Sequence, residues 1–566
     1  MEKSFQLGVA GELGTLKRVL VHRPDAGIGL IPTHKTEEWL YDDIVDVPTM
    51  QREFDVFREL LDLVVGTSEA DDVREHPVMD SQRLLESLIN ENHDDARELI
   101  VSLCTLEGVN FPRKDDLLAM LAHGKEDPSL IKALVQTLLS GQLAYASLEG
   151  EKPHRLPAGS ERYIFAPIPN FIFTRDIGVT MGDHILITQP KYNVRRREVW
   201  LFRFIAEHFL VRNRRPLRFS VGEDDHNFLQ DEEQSKLKAV SYEGGDIMMI
   251  SPRHVLIGWS ERTTPHAIEK LVKQIFWLPI QTGSPTGIDT VSVVKIGARR
   301  SQMHIDTVFT HVRNDVWALH ALLAEGWQSR QVESRIEPVE VFQYYLHDLG
   351  RAMKQSYAEA ETPEQKETWA EKFQRMDFRL KTDTQGNYEN SGCLYTRQPK
   401  GLQDLLTLIS VNEFGVEKAS QVQFVLSGKG QYPYSSREQW TDACNLVALR
   451  PGIVVGYDRN PVTIAHFNEV MQGEPGIENE DLRTYIVQAN SSRFANLAGP
   501  SGELPDMDHV VHTQDLFAYL ALNNLKGEDA KTLIDQLNNV LFLIPSSELS
   551  RARGGSHCMT LPLLRS

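Results

Sequence analysis

The sequence predicts an α/β fold built from a repeated strand-and-turn unit that is interrupted by helical segments. Short aliphatic or β-branched runs, each ending in a polar turn that often carries arginine, recur five times. Amphipathic helical patterns follow most of these runs, and three longer segments lack the theme altogether. Ordinary strand–helix alternation would look similar, but polar residues repeatedly placed just past the strand ends favour true repetition.

The repeated runs are the predicted strands of this fold. They occupy residues 19–24, 185–190, 255–262, 308–313 and 453–460. The third run has the clearest helix after it, because apolar residues recur along one helical face. These residues are Ala267, Ile268, Leu271, Val272 and Ile275.

Residues 66–148 form the first interruption. Apolar residues at helical spacing are broken there at Gly108, Pro112 and Pro128. Glycine and proline end helices, so the pattern predicts an inserted α-helical bundle of short helices.

Two further segments are predicted to be helical insertions. Residues 327–390 are charged and helix-prone, and residues 490–540 open with Pro, Ser and Gly before a leucine pattern with helical spacing. That pattern consists of Leu516, Leu520, Leu533, Leu537 and Leu541. The predicted catalytic domain is therefore discontinuous, comprising residues 1–65 and 149–566.

The composition is that of a soluble globular protein of 566 residues, with 41% hydrophobic and 25% charged residues and a net charge of -19. No apolar run reaches the roughly eighteen residues of a membrane span, and the first residues do not read as a leader, so we expect a cytoplasmic protein without membrane partners. The acidic balance argues against nucleic acid and favours a small cation such as arginine. Four dispersed cysteines without a Cys-x-x-Cys pair argue against disulfides and structural zinc.

Cys558 is the main candidate for chemistry. It follows two glycines and a histidine, with arginines on its N-terminal side. Thiolate is the reactive form of cysteine, nearby cations lower a thiol pKa, and glycines allow a ligand to approach closely. We therefore expect a nucleophile with a lowered pKa; the alternative is a small buried apolar side chain.

Short acidic motifs elsewhere supply carboxylates. Asp176 follows an aromatic in the Phe-Thr-Arg-Asp motif, for which a surface ion pair is the alternative. Glu243 and Asp246 flank paired glycines, for which a plain Gly-Gly turn is the alternative.

His304 and Asp306 form the most specific pair. On a strand, residues two apart face the same side, so both would project into one site with Ile305 turned away. The alternatives are a core histidine or a corner of a metal site. A metal is disfavoured because no third His or Cys lies at ligand spacing.

Together these groups match what breaking a guanidinium C–N bond requires. A planar cation needs carboxylates to bind its N–H groups, a nucleophile aimed at its carbon, and an acid to protonate the departing amine. No phosphate loop, dinucleotide turn or serine elbow motif competes with this interpretation.

On these motifs the chain resembles the arginine deiminases, guanidino-group-modifying enzymes of the pentein superfamily. The matching motifs lie at residues 11–14, 20–24, 40–43, 173–176, 243–246, 260–263, 304–309, 445–446, 451–455 and 553–559. The resemblance implies a five-bladed ββαβ pentein propeller around a polar channel, with the helical bundle inserted. It also implies hydrolysis of free L-arginine to citrulline and ammonia without cofactor or metal, and we expect a homo-oligomer.

The resemblance assigns the catalytic roles. Cys558 would attack the guanidinium carbon and form a covalent thiouronium, while Asp176 and Asp306 hold the ω-nitrogens. His304 would act as general acid and then as base, and Glu243 would join the carboxylate set.

The resemblance also assigns substrate-binding residues. These are Asn170, Phe173, Arg195, Asp246, Arg262, Arg553 and His557. Arg195, Arg262 and Arg553 would bind the substrate α-carboxylate, which separates free arginine from agmatine and peptidyl-arginine. The alternatives are another guanidino enzyme, either an amidinotransferase or a dimethylarginine-type hydrolase, and a non-catalytic binding protein of pentein shape.

Overall fold

The computed structural model describes residues 6–109, 111–143, 163–211, 240–282, 287–324, 339–389, 392–495 and 507–566. Within these ranges the chain is a mixed α/β protein with several separate β-sheets. Parts of the predicted segments 66–148, 327–390 and 490–540 lie outside the described residues.

The strands in chain order are β1 (Leu16–Val21), β2 (Val78–Asp80), β3 (Gln142–Leu143), β4 (Tyr163–Phe165), β5 (Gly178–Met181), β6 (His184–Ile187), β7 (Ile247–Ser251), β8 (His254–Trp259), β9 (Thr290–Lys295), β10 (Phe309–Arg313), β11 (Val316–Leu319), β12 (Glu340–Tyr345), β13 (Gln423–Leu426), β14 (Val447–Arg450), β15 (Ile453–Tyr457), β16 (Val510–His512), β17 (Val540–Ile544) and β18 (Leu561–Arg565).

The helices in chain order are α1 (Val47–Val65), α2 (Ser81–Glu91), α3 (His93–Leu106), α4 (Phe111–His123), α5 (Pro128–Ser140), α6 (Thr174–Ile177), α7 (Arg196–Ile205), α8 (Pro265–Thr282), α9 (Asp348–Glu359), α10 (Pro363–Gln374), α11 (Leu402–Glu413), α12 (Tyr434–Trp440), α13 (Pro461–Met471), α14 (Glu480–Arg493), α15 (Thr513–Leu522) and α16 (Gly527–Asp535).

Five antiparallel strand pairs recur along the chain. They are β18–β1, β5–β6, β7–β8, β10–β11 and β14–β15. In four of them the second strand also pairs in parallel with a later strand: β1 with β2, β8 with β9, β11 with β13, and β15 with β17. Parallel neighbours need a crossover connection, and helices such as α1 and α8 lie in these crossovers.

The five sequence runs predicted as strands are all strands, namely β1, β6, β8, β10 and β15. One of them occupies a different place in its unit. β10 is the first strand of its hairpin, whereas the other four are second strands. The equivalent of those four is β11, whose tryptophan-containing sequence lacks the charged turn of the theme.

Neighbouring hairpins contact one another mainly through their first strands. β18 contacts β5, β5 contacts β7, β10 contacts β14, and β14 contacts β1. The turn Gly244–Asp246 before β7 also contacts the turn Ile305–Thr307 before β10. The segments that lead into these strands therefore lie close together.

The predicted short helices of the first interruption are present as α2 to α5. Asp80 caps α2 by accepting backbone N–H groups, and Asp127 with Pro128 begins α5. β2 lies before these helices and pairs with β1, so residues 78–80 belong to a sheet. The domain boundaries themselves remain a prediction.

Two helical predictions in the later segments are wrong. Residues 340–345 form strand β12, which pairs with β9, because Val341, Gln343 and Tyr345 alternate toward the core. Leu541 lies in strand β17, whose five residues are all buried between two parallel partners.

Candidate active site

The predicted chemical groups lie in the segments that immediately precede the first strands of the hairpins. Asp176 precedes β5, Glu243 precedes β7, His304 and Asp306 precede β10, and Cys558 precedes β18. None of these side chains is more than 4% exposed. Because the segments meet, the structure brings all five residues into one buried cluster.

Cys558 is held in place by three neighbouring residues. Its thiol donates to Oδ2 of Asp306 at 3.3 Å, and Sγ accepts from Nδ2 of Asn445 at 3.2 Å. Its N–H donates to Oδ1 of Asn445 at 3.1 Å, and its carbonyl accepts from the N–H of Arg175 at 3.1 Å. A Cβ at Gly555 would lie 2.7 Å from the same Oδ1, so only glycine allows this approach.

The predicted lowering of the Cys558 pKa is wrong for the site without substrate. Burial raises the pKa of the thiol well above its ordinary value, and the carboxylates of Asp306, Asp176 and Asp442 add to the effect. The neighbouring His557 does not offset it by contact, because its ring faces Asp306. Cys558 is therefore a protonated thiol at neutral pH.

Asp176 and Asp306 each have one engaged and one unengaged carboxylate oxygen. Oδ2 of Asp176 accepts from Nη1 of Arg195 at 2.6 Å, and Oδ2 of Asp306 accepts from Nδ1 of His557 at 2.9 Å. The two Oδ1 atoms are buried and have no hydrogen-bond partner within the described ranges. Such oxygens are costly unless a donor reaches them, so both are suited to a ligand that brings N–H groups.

His304 is a charged imidazolium. Burial would lower its pKa, but Asp176, Glu243 and Asp246 outweigh burial and raise the pKa of His304 to about 10. Nε2 donates to Oε2 of Glu243 at 3.0 Å, and Nδ1 lies 3.6 Å from Oδ1 of Asp176. A Cβ at Gly245 would lie 2.6 Å from Nδ1, so glycine makes room for the ring.

His304 and Asp306 are not on a strand, contrary to the prediction. His304 has extended backbone, but Ile305–Thr307 forms a short 3-10 turn before β10. Both side chains nevertheless reach the cluster, and Ile305 packs in an apolar core as predicted. The turn, rather than strand alternation, brings the two groups together.

Asp246 anchors that turn. Its Oδ1 accepts from the N–H of Ile305 at 3.0 Å, and its Oδ2 accepts from the hydroxyls of Ser260 and Thr263, each at 2.6 Å. Burial raises the pKa of Asp246 to about 7. With both oxygens engaged, Asp246 supports the site from behind.

Glu243 lies among three cations. Oε2 is 3.0 Å from Nε2 of His304, 3.3 Å from Nη1 of Arg195 and 3.4 Å from Nη1 of Arg262. Burial would raise the pKa of Glu243, but these cations hold it well below its usual range. Asp176, Glu243 and His304 lie close enough to share a metal ion, but cationic side chains already neutralise the carboxylates; the absence of a metal remains a prediction.

Arg195 is engaged on every side. Nε donates to Oε2 of Glu198 at 2.9 Å, Nη1 to Asp176, and Nη2 to the carbonyl of Asn170 at 3.1 Å. Nδ2 of Asn170 in turn donates to the carbonyl of Trp39 at 2.9 Å. Burial raises the pKa of Glu198 to about 8 although Arg195 opposes this. The predicted role of Arg195 toward the substrate α-carboxylate stays a prediction.

Arg262 and Arg553 differ in how firmly they are held. Nε of Arg262 donates to Oε2 of Glu261 at 2.5 Å, in addition to its contact with Glu243. The Arg553 guanidinium lies 3.4 Å from the ring centre of Trp440, donates to that residue's carbonyl, and approaches a carboxylate oxygen of Asp42 at 3.4 Å. Arg553 therefore has the weaker anionic partner.

A profile of sequences described as "Arginine deiminase" matches residues 37–370 and 402–494. This chain belongs to the arginine deiminase family. The protein named arginine deiminase from Latilactobacillus sakei subsp. sakei (strain 23K) is 25% identical over 98% of this chain and 97% of its own length. Arginine deiminase from Clostridium perfringens (strain SM101 / Type A) is 24% identical over 100% of this chain and 99% of its own.

Similarity to solved structures is weaker. An amidinotransferase of saxitoxin biosynthesis from Microseira wollei covers 99% of this chain and 97% of its own, with a TM-score of 0.39 and 10% identity. These values are too low to establish a shared fold. In the described part of this arginine deiminase family member, no helix is long and apolar enough to cross a membrane.

Sequence reasoning missed several residues of the cluster in this family member. Glu12 pairs with Arg175 at 3.1 Å and lies 3.4 Å from Nε2 of His557, which supports the nucleophile segment. Phe173, which the resemblance assigned to substrate binding, packs against Gly554 in that segment, and its contact with substrate stays a prediction. Glu12 and Asn445 lie in motifs on which the family resemblance rests, whereas Glu198 had no local signal.

Proposed function

We propose that this chain hydrolyses free L-arginine to L-citrulline and ammonia. One observation carries the proposal: Asp176 and Asp306 each keep a buried Oδ1 that has no hydrogen-bond partner among the described residues, beside the Cys558 thiol and the His304 imidazolium. Carboxylates placed in this way suit a planar guanidinium. Membership in the arginine deiminase family and the names of full-length relatives support the same substrate.

The substrate would activate its own nucleophile. A bound guanidinium places a positive charge next to Cys558, which opposes the effect of the surrounding carboxylates on the thiol pKa. The thiol already donates to Oδ2 of Asp306, so this carboxylate is the first acceptor available for the proton. The thiolate then attacks the guanidinium carbon.

His304 would supply the proton that the leaving group needs. Its pKa of about 10 keeps it charged, and Glu243 holds the ring. As the C–N bond breaks, His304 protonates the departing nitrogen, ammonia leaves, and a thiouronium remains on Cys558. Neutral His304 then takes a proton from water, and the hydroxide adds to the same carbon. The C–S bond breaks as the added hydroxyl gives its proton to the departing sulfur, which releases citrulline and restores the Cys558 thiol. The proton held by Asp306 leaves with ammonia as ammonium, so the site returns to its starting state.

Arginine side chains would recognise the α-carboxylate. Arg553 is the most available of them, because main-chain carbonyls and one carboxylate oxygen at 3.4 Å hold its guanidinium. Arg262 would be a second ligand, and Arg195 a third only if it exchanges a present partner. A bidentate guanidinium–carboxylate pair discriminates against agmatine, which lacks the carboxylate.

The catalytic unit would be a five-bladed ββαβ pentein propeller comprising residues 1–65 and 149–566, together with strand β2, which pairs with β1 although it lies within the predicted bundle. Five recurring hairpins, four of them followed by a helix and a parallel strand, support this arrangement, as do contacts between successive first strands. Residues 66–148 would be an inserted helical bundle, with further insertions at 327–390 and 490–540.

The proposal is tested by measuring citrulline and ammonia released from L-arginine without added cofactor or metal. Agmatine and methylated arginines are run in parallel, and Cys558→Ala is the control variant. We expect equal amounts of citrulline and ammonia from arginine alone, and none from the variant. Turnover of another guanidino compound in place of arginine would overturn the substrate, and a fully active Cys558→Ala would overturn the nucleophile. A cytoplasmic location and a homo-oligomer remain predictions.

A further inference from the structure

Asn445 occupies a position equivalent to those of the proposed catalytic residues. It lies two residues before β14, the first strand of its hairpin, as Asp176 does before β5 and Cys558 lies shortly before β18. Its side chain is completely buried. The β14–β15 hairpin thus contributes a neutral amide where the other hairpins contribute charged groups or the thiol.

The amide of Asn445 contacts the reacting sulfur directly. Nδ2 donates to Sγ of Cys558 at 3.2 Å and to the main-chain carbonyl of Asp306 at 2.9 Å. Oδ1 accepts the N–H of Cys558 at 3.1 Å. Both amide hydrogens and the amide oxygen are therefore engaged at the nucleophile.

These partners fix the orientation of the amide. If oxygen and nitrogen exchanged places, the NH₂ group would face the N–H of Cys558, and the oxygen would face the carbonyl of Asp306. Donor would meet donor and acceptor would meet acceptor, which a fully buried amide does not tolerate. Nδ2 must therefore point toward Sγ.

The electrostatic surroundings make this donor important. Asp306, Asp176 and Asp442 all raise the pKa of the Cys558 thiol. Within the described residues, the polar side-chain contacts of Sγ are an acceptor on Asp306 and the donor on Asn445. Only the donor stabilises the thiolate relative to the thiol.

We propose that Asn445 is a catalytic residue that donates a hydrogen bond to the Cys558 thiolate. The inference rests on the proposed function, in which Cys558 is the nucleophile. The amide adds no charge that would repel an incoming guanidinium, and it already faces the sulfur in the site without substrate. It therefore stabilises the thiolate without a positive charge of its own, which would repel the cationic substrate.

The test measures the apparent pKa of Cys558 from the pH dependence of its alkylation by iodoacetamide, quantified on the peptide that carries it. Asn445→Leu keeps a similar side-chain size without a donor, and Asn445→Ala is the second variant in case leucine does not fold. Cys393, which is half-buried and belongs to another part of the chain, serves as internal reference because its alkylation rate should not change.

We expect the apparent pKa of Cys558 to rise by about 1 to 2 in both variants. The thiolate loses a hydrogen bond there, and the free energy of a hydrogen bond to a charged group corresponds to a pKa change of about this size. The kcat for arginine should fall about 10- to 100-fold with KM nearly unchanged. A purely structural role gives the opposite sign: loosened packing admits water, and relief from burial lowers the thiol pKa.

An unchanged or lower thiol pKa in the variants would overturn the inference, whatever happens to kcat. The alkylation experiment needs no substrate, so its outcome is independent of the proposed reaction. If wild-type protein releases no citrulline while the thiol pKa still depends on Asn445, the proposed function fails and the donor assignment stands.

Discussion

Replacing Asp306 with asparagine should make the nucleophile more acidic and the enzyme slower at the same time. Oδ2 of Asp306 lies 3.3 Å from Sγ of Cys558, where it raises the pKa of the thiol. Two unit charges at that distance repel by about 5 kcal/mol at an effective dielectric constant of ~20. His557 donates to the same oxygen and offsets part of this, so we expect the thiol pKa to fall by about 2 in Asp306→Asn.

Turnover should change in the other direction. The variant leaves the guanidinium with one carboxylate in place of two, and breaking one partner of a buried ion pair costs about 3 to 5 kcal/mol. That corresponds to a loss in kcat/KM of roughly 150- to 5,000-fold. Asp383→Asn makes the same chemical change in an exposed turn and should alter neither quantity.

Two assays decide the outcome for Asp306→Asn. Alkylation of Cys558 by iodoacetamide across pH reports the thiol pKa without substrate, and citrulline release reports kcat/KM. A thiol pKa that stays the same or rises would refute the electrostatic account of the site. An unchanged kcat/KM alongside a lowered thiol pKa would refute the role of Asp306 in holding the guanidinium.

Three further predictions concern the other groups of the site. Because the general acid must be protonated, kcat/KM for arginine should decrease as pH rises through about 10, the pKa of His304; a pH profile in which this limb is absent would contradict the assignment. Gly245→Ala places a methyl group 2.6 Å from the His304 ring and should lower kcat about 10- to 100-fold with little loss of stability, whereas Gly29→Ala, where the nearest atom is 3.6 Å away, should leave kcat and the melting temperature unchanged. Arg553→Ala should raise KM for arginine about 10- to 100-fold and reduce the preference for arginine over agmatine; an unchanged preference would remove Arg553 from the α-carboxylate site.

Local pattern was sufficient to predict strands and helices where one face is consistently apolar. The helices α2 to α5 follow from leucine spacing with proline and glycine breaks, and the five strand runs follow from short aliphatic stretches. Strand β12 was missed because its alternating Val341, Gln343 and Tyr345 lie within a charged, helix-prone segment. Leu541 was misassigned because leucines at wide spacing fit a helix as well as two separate elements.

The sequence predicted which residues lie together in the site, but not the charges that surround the Cys558 thiol. Residue type and family resemblance pointed to five groups that the structure brings together, yet the sequence suggested cations around Cys558 and the structure places carboxylates there. Arg553 is near Cys558 in the sequence, but its guanidinium contacts Trp440 and Asp42. The groups that control the pKa of the thiol come from other hairpins. Glu198 was missed for the same reason, since its effect depends on lying behind Arg195.

The charges in the cluster explain why a thiol is preferable to a thiolate when no substrate is bound. Asp176 and Glu243 lie against Arg195, and Glu243 also meets the His304 imidazolium, so these carboxylates are largely balanced. A thiolate added to this set would be an uncompensated buried anion, which is costly. A bound guanidinium would bring a positive charge beside the carboxylates of Asp176 and Asp306, where it would oppose their effect on the pKa of the Cys558 thiol. Binding and activation would therefore be coupled by the same charge, and a protonated thiol would also resist oxidation until arginine binds.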